Sequence, residues 1–183
     1  VRTPRPRPNA RRAFTLIETA LATIIVGTGV LALVSAHQAF HRKNLWAIRS
    51  SVAMRLGNEI REMTLNLPRH DPVTGNASWG PESGEDALED FDDLDDFDGV
   101  GGTGTVFSAA LGNGPVNARR EPIPGLAGWS QVIRVRHVDP FELTREVPRF
   151  ASDFVRVEVT VTHQAPGETE PTVMTRVSWL APR

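Results

Sequence analysis

The chain contains no cysteine among its 183 residues. Disulfides and thiolate metal sites are therefore excluded, and a folded region has to be held by packing alone. Familiar catalytic signatures are missing as well. There is no Gly-x-Ser-x-Gly, no His-Glu-x-x-His and no phosphate loop, and Gly101-Gly102-Thr103-Gly104 lacks the Lys and the helix that phosphate binding requires. His70, His137 and His163 are scattered, so the sequence predicts a protein that is not an enzyme. Three further absences are local. Residues 1–13 hold no acid, Thr19–Ala36 hold no charge, and Glu82–Asp98 hold no base.

The first two absences adjoin. Residues 1–13 carry five arginines (2, 5, 7, 11 and 12) and prolines at 4, 6 and 8, which oppose helix. The uncharged run that follows is 18 residues long, or about 27 Å as a helix, against a bilayer core of roughly 30 Å. A basic segment ahead of an apolar helix stays in the cytoplasm, which sends the C-terminal part outward. The chain has 20 Lys and Arg against 22 Asp and Glu; without the five leader arginines the balance falls to 15 against 22, a net charge near −7. That acidity argues against nucleic acid as a partner. Glu18 is the one charge near the start of the apolar run. An acid within such a helix costs on the order of 2.5–3.5 kcal/mol at the centre and less near the interface, and by default marks a function.

Ala13-Phe14-Thr15-Leu16-Ile17-Glu18 resembles the cleavage and methylation motif of type IV pilins and type II secretion pseudopilins. The resemblance implies cleavage by prepilin peptidase between Ala13 and Phe14, with N-methylation of Phe14. It implies that Glu18 meets the amine of a neighbouring subunit during assembly. The family usually has Gly where this chain has Ala13. Gly27 and Gly29 interrupt the helix, each at about 1 kcal/mol relative to Ala. They fit either close helix packing or, as the resemblance implies, local melting on entry into a filament. Major pilins often carry Pro further along this helix. Ser35 stands at the corresponding position, which favours a minor subunit.

Beyond the apolar run, Leu45, Ile48, Val52, Leu56, Ile60, Met63 and Leu67 recur every three or four residues, which predicts an amphipathic helix ended by Pro68. His37 and His41 are four apart but lack a third ligand, and read as interfacial histidines. Near the C-terminus, Gln131–Val138, Phe154–Thr162 and Thr172–Leu180 alternate as strands of a half-buried antiparallel sheet. Val155, Val157, Val159 and Val161 form one face of the second strand, and Trp129 and Trp179 read as core residues. The expected fold is α+β and pilin-like, with a long N-terminal helix on a small antiparallel β-meander. Its parts are a leader (1–13), an apolar transmembrane and assembly helix (14–40), an amphipathic helix (41–67), an irregular acidic region (68–128) and the sheet (129–183).

The third absence leaves ten acids in Glu82–Asp98 without a base. Asp93, Asp95, Asp96 and Asp98 are candidate calcium ligands, since hard cations require several carboxylate oxygens. The pattern is not an EF-hand, because Gly99 as the loop glycine would put Leu94 at the first ligand position. The alternative is a solvated loop anchored by Phe91, Leu94 and Phe97 at a spacing of three, with no cofactor. The segment 91–99 and Val138-Asp-Pro-x-x-Leu-Thr144 also resemble MshD/PilV-like minor pilins, those of the mannose-sensitive haemagglutinin type.

The resemblance implies other pilin or pseudopilin subunits, prepilin peptidase and inner-membrane lipid as partners. It also implies a single-pass precursor in a bacterial inner membrane and a filament outside the cytoplasm. The filament is a pilus or, alternatively, a type II secretion pseudopilus. A reading of another class takes Arg11-Arg12 as part of a twin-arginine or Sec signal cut after Ala36, releasing a soluble binding or catalytic domain. The apolar run is long for such a signal. An uncleaved anchor is the third reading.

Overall fold

A computed structural model describes residues 15–71, 73 and 79–181. The leader and the expected cleavage position, Ala13 and Phe14, lie outside the described residues. Helix α1 spans Leu16–Thr64. Four strands follow: β1 (Thr105–Ser108), β2 (Trp129–His137), β3 (Val155–His163) and β4 (Thr172–Leu180). They form one antiparallel sheet in sequence order. The arrangement is α+β, a long helix with a four-stranded antiparallel sheet, and is consistent with the pilin-like fold. Two compact units meet in the chain at Trp46 and Ala47.

The first unit is helical from Leu16 onward. Its apolar window of 18 residues is long enough to cross a membrane, and none of it is buried. The threonines in this stretch direct their hydroxyls back onto the helix. Thr23 Oγ1 donates to Thr19 O at 2.8 Å, Thr28 Oγ1 to Ile24 O at 3.0 Å and Thr19 Oγ1 to Thr15 O at 3.2 Å. Such back-bonding leaves these hydroxyls satisfied where no water is present.

In the second unit, residues 47–64 of α1 supply Ala53, Leu56, Gly57, Ile60 and Thr64 as a buried stripe. The expected stripe holds from Val52 onward, whereas Leu45 and Ile48 are exposed (56 and 54 %). Gly57 allows a close approach of helix to sheet, since a Cβ there would lie 2.6 Å from Val177 Cγ2 on β4. α1 ends at Thr64, four residues before Pro68. The sheet face alternates as expected. Val155, Val157, Val159 and Val161 are at most 1 % exposed, each worth roughly 1.5–3 kcal/mol on burial. Trp129 belongs to the buried core and Trp179 packs against it.

Two features depart from expectation. β1 lies inside the region expected to be irregular, paired with β2 through Thr105–Ile133 and Ser108–Ser130. In β2 the inward positions are Trp129, Gln131, Ile133, Val135 and His137, so a glutamine points into the core. Its amide is satisfied there. Nε2–H donates to Leu56 O at 2.9 Å and to Val116 O at 3.1 Å, and Oε1 accepts from Val116 N–H at 2.8 Å. Gln131 thus ties α1, β2 and the 116 loop together where an apolar residue would leave buried backbone groups unpaired.

Candidate functional site

Two groups of expected site residues are described, and they lie in different units. At the start of α1, Glu18 Oε2 accepts from Thr15 N–H at 2.8 Å and from Thr15 Oγ1–H at 2.9 Å. Thr15 Oγ1 in turn accepts from Glu18 N–H at 3.3 Å. This is a capping box, Thr-x-x-Glu, which satisfies donors that a helix start otherwise leaves open. The carboxylate is therefore held at the N-terminal end of the apolar helix. The helix runs unbroken through Gly27 and Gly29, and neither has a neighbour within 4 Å of the place a Cβ would occupy. His37 and His41 bring their Nε2 atoms to 2.9 Å on an exposed face.

The acidic segment is not solvated throughout. Asp93, Asp95, Asp96 and Asp98 are all 0 % exposed. Phe91, Leu94 and Phe97 anchor it in the core as expected, with the two phenyl rings edge to face at 5.2 Å. Leu94 N–H donates to Pro68 O at 2.9 Å, which fastens the turn to the segment after α1. A 3-10 turn at Asp96–Asp98 completes it. Phe91, Leu94 and Phe97 go into the core, Asp93 and Asp96 approach each other, and Asp98 turns toward β2.

The structure consequently sets Asp98 apart from the other three candidate ligands, whereas the Asp95 carboxyl stays within hydrogen-bonding reach of Asp93. Asp98 is fully engaged by donors. Its Oδ1 takes Val135 N–H at 3.2 Å and the Arg136 guanidinium, and its Oδ2 takes Trp79 Nε1–H at 2.9 Å, with Arg149 at 3.8 Å. Asp95 faces His70, with Oδ2 3.4 Å from Nδ1, and burial pushes its carboxyl up to about 6. His70 and Trp79 touch each other, with ring centroids 5.3 Å apart. Burial also lowers His70 below the usual imidazole range.

Asp93 and Asp96 do come together, and with an acid that the sequence did not single out. Ligand atoms of Glu82, Asp93 and Asp96 lie within 4.8 Å of one another, and Asp96 also belongs to a second group with Glu85 and Asp92. One oxygen of each buried acid is held by backbone. Asp93 Oδ1 accepts from Asp95 N–H at 2.9 Å and Asp96 N–H at 3.2 Å. Asp96 Oδ2 accepts from Asp92 N–H at 3.0 Å and Asp93 N–H at 3.3 Å. The other oxygens, Asp93 Oδ2 and Asp96 Oδ1, are buried and have no hydrogen-bond partner among the described residues. Burial is the main cause that raises Asp93 to about 8 and Asp96 to about 7; the neighbouring carboxylates add to it.

No protein-family model, curated protein or solved structure matches the chain. The two sites therefore stand on their own chemistry. The helix start presents one fixed carboxylate at the head of a membrane-length apolar surface. The acidic turn presents converging oxygen donors without nitrogen or sulfur, a set suited to a hard cation.

Proposed function

We propose that the protein is a minor structural subunit of a type IV pilus-like filament, with no catalytic role. In this reading prepilin peptidase cuts the precursor between Ala13 and Phe14 and Phe14 is methylated. The apolar part of α1 holds the subunit in the inner membrane, with the second unit outside the cytoplasm. Assembly then moves the apolar helix from lipid into a bundle with the helices of other pilin subunits, where the Glu18 carboxylate meets a neighbour's amine.

The observation that carries the reading is the surface of the first unit. An apolar window of membrane length is wholly unburied, its threonines are satisfied within the helix, and a single acid is fixed at its head. A helix that only anchored the chain would have no use for that acid beyond capping. The resemblance of residues 13–18 to the prepilin motif supplies the partner. α1 also runs through Val34-Ser35-Ala36 without interruption, which favours this reading over a signal cut after Ala36.

The capping box makes a clean test possible. Glu18→Gln keeps a capping residue of the right length but removes the charge, whereas Glu18→Ala removes both. Each variant is expressed beside the wild type, and its recovery in the membrane and in sheared fibres is compared. Both variants are expected to reach the membrane and to be lost from the fibres. Wild-type recovery of the Gln variant in fibres would show that Glu18 serves only the helix end, and would refute the assembly role.

A further inference from the structure

We infer that Glu82, Asp93 and Asp96 form a calcium site that staples the acidic turn. The inference does not depend on the filament reading. Its first support is the pair of buried oxygens, Asp93 Oδ2 and Asp96 Oδ1, which have no hydrogen-bond partner among the described residues although both side chains are fully buried. Buried carboxylate oxygens are ordinarily matched by a donor or a cation. No salt bridge from a described residue reaches Asp93 or Asp96. The neighbouring arginines Arg136 and Arg149 are directed at Asp98, and His70 sits 3.4 Å from Asp95, with Asp93 near enough to act on its charge.

The second support is metric. Calcium takes oxygens at about 2.3–2.6 Å, so two ligands on one ion are at most about 4.6–5.2 Å apart. The three acids bring ligand atoms within 4.8 Å of one another. The third is the donor type. Three carboxylates with no imidazole or thiolate exclude the preferences of zinc and copper, and an all-oxygen set suits calcium, which accepts irregular coordination more readily than magnesium with its strict octahedron. The backbone N–H groups that hold Asp93 Oδ1 and Asp96 Oδ2 fix the two carboxylates in place, so the site is built before the ion arrives. Glu85 and Asp92, which share Asp96 in the adjoining group, add negative potential beside it.

The consequence is structural. A cation bridging Glu82 to Asp93 and Asp96 closes the loop between them, in a chain that has no cysteine to do so. It would hold the turn that carries Phe91, Leu94 and Phe97 into the core, and with it the Asp98 contacts to β2.

The test is calcium binding by the full chain, purified in detergent and stripped with chelator. Equilibrium dialysis measures stoichiometry up to about 1 mM free calcium, the upper range of extracellular sites. The wild type is expected to bind one calcium per chain and to melt at a higher temperature with calcium than with chelator. Asp93→Asn and Asp96→Asn are each expected to weaken binding at least tenfold. Asp90→Asn, an exposed acid of the same run, is expected to leave it unchanged. Thermal melting in chelator guards against misfolding, because Asn matches the carboxyl in size and keeps the oxygen that the backbone N–H groups hold, so the variants should melt no lower than the stripped wild type. Should either fail to fold, Glu82→Gln, at the half-buried corner, takes its place with the same tenfold expectation. Absence of stoichiometric calcium on the wild type, or unchanged affinity in a folded Asp93→Asn or Glu82→Gln variant, would overturn the proposal and leave a proton-sharing carboxylate cluster.

Discussion

Replacing Gly57 by Ala opposes two effects of similar size. In a helix interior the change gains about 1 kcal/mol of propensity. Here the new Cβ would stand 2.6 Å from Val177 Cγ2 and 3.4 Å from Val177 Cβ, with Val161 Cγ2 at 3.9 Å. Val177 is β-branched, so it has few rotamers with which to retreat. Its own Cα partner in the sheet is Val159, which is fully buried. Overpacking of this kind costs typically 1–3 kcal/mol, so the clash outweighs the propensity gain and the net loss is about 1 kcal/mol. Urea unfolding of the full chain, followed by the fluorescence of Trp129 in the core and Trp179 packed against it, measures it. Val177→Ala removes the obstructing methyl groups, so in a double-mutant cycle the coupling energy should be at least about 1 kcal/mol in favour of the pair. If Gly57→Ala alone stabilises the protein by the full propensity value, helix and sheet are further apart than described and the argument fails.

Other perturbations probe other parts of the second unit. Gln131→Leu strips partners from the buried Val116 N–H and C=O and should lower unfolding free energy by about 2–3 kcal/mol, read in the same urea experiment. Asp98→Ala leaves Trp79 Nε1–H and Val135 N–H without their acceptor and takes the buried carboxylate from Arg136, and should cost about 3 kcal/mol; a loss below about 1 kcal/mol would show that water replaces it. His137 donates from Nδ1 to Ser152 O at 2.7 Å and is held below its ordinary value by burial first, with His70, Arg69 and Arg149 adding repulsion. Its folded pKa lies below the unfolded one, so its stabilising contribution is complete above about pH 6.5 and is lost as pH falls through the lowered folded value. Stability of the wild type relative to His137→Gln should therefore decline on acidification below about pH 6.5, and a pH-independent difference would contradict this.

The parts of the fold that were legible in the sequence are those in which one period dominates. β3 alternates Val with polar residues, and its valines are buried. The helix stripe from Val52 to Met63 repeats every three or four residues and packs as written, and Leu67, three residues past the helix end, still reaches the core. β1 escaped because four residues between glycine-rich turns carry too little alternation to separate from a loop. In β2 the inward Gln131 broke the apolar pattern, and only its three backbone partners explain it. At the site, contiguity misled. Four aspartates in six positions read as one ligand set, but Asp98 is taken up by Trp79, Val135 and Arg136, while Asp93 and Asp96 meet Glu82. Glu82 lies eleven positions before Asp93, and no spacing rule brings it in; the tertiary fold does. The capping box was available as Thr15-x-x-Glu18, a signal overlooked beside the resemblance of the same residues to the prepilin motif.

The central claim concerns processing and assembly, and the mature N-terminus tests it most directly. The protein would be isolated from native membranes and its terminus determined by intact mass and terminal-peptide mass spectrometry. The mature chain is predicted to begin at N-methylated Phe14, with residues 1–13 removed. A chain beginning at His37, or one that retains residues 1–13, would contradict it.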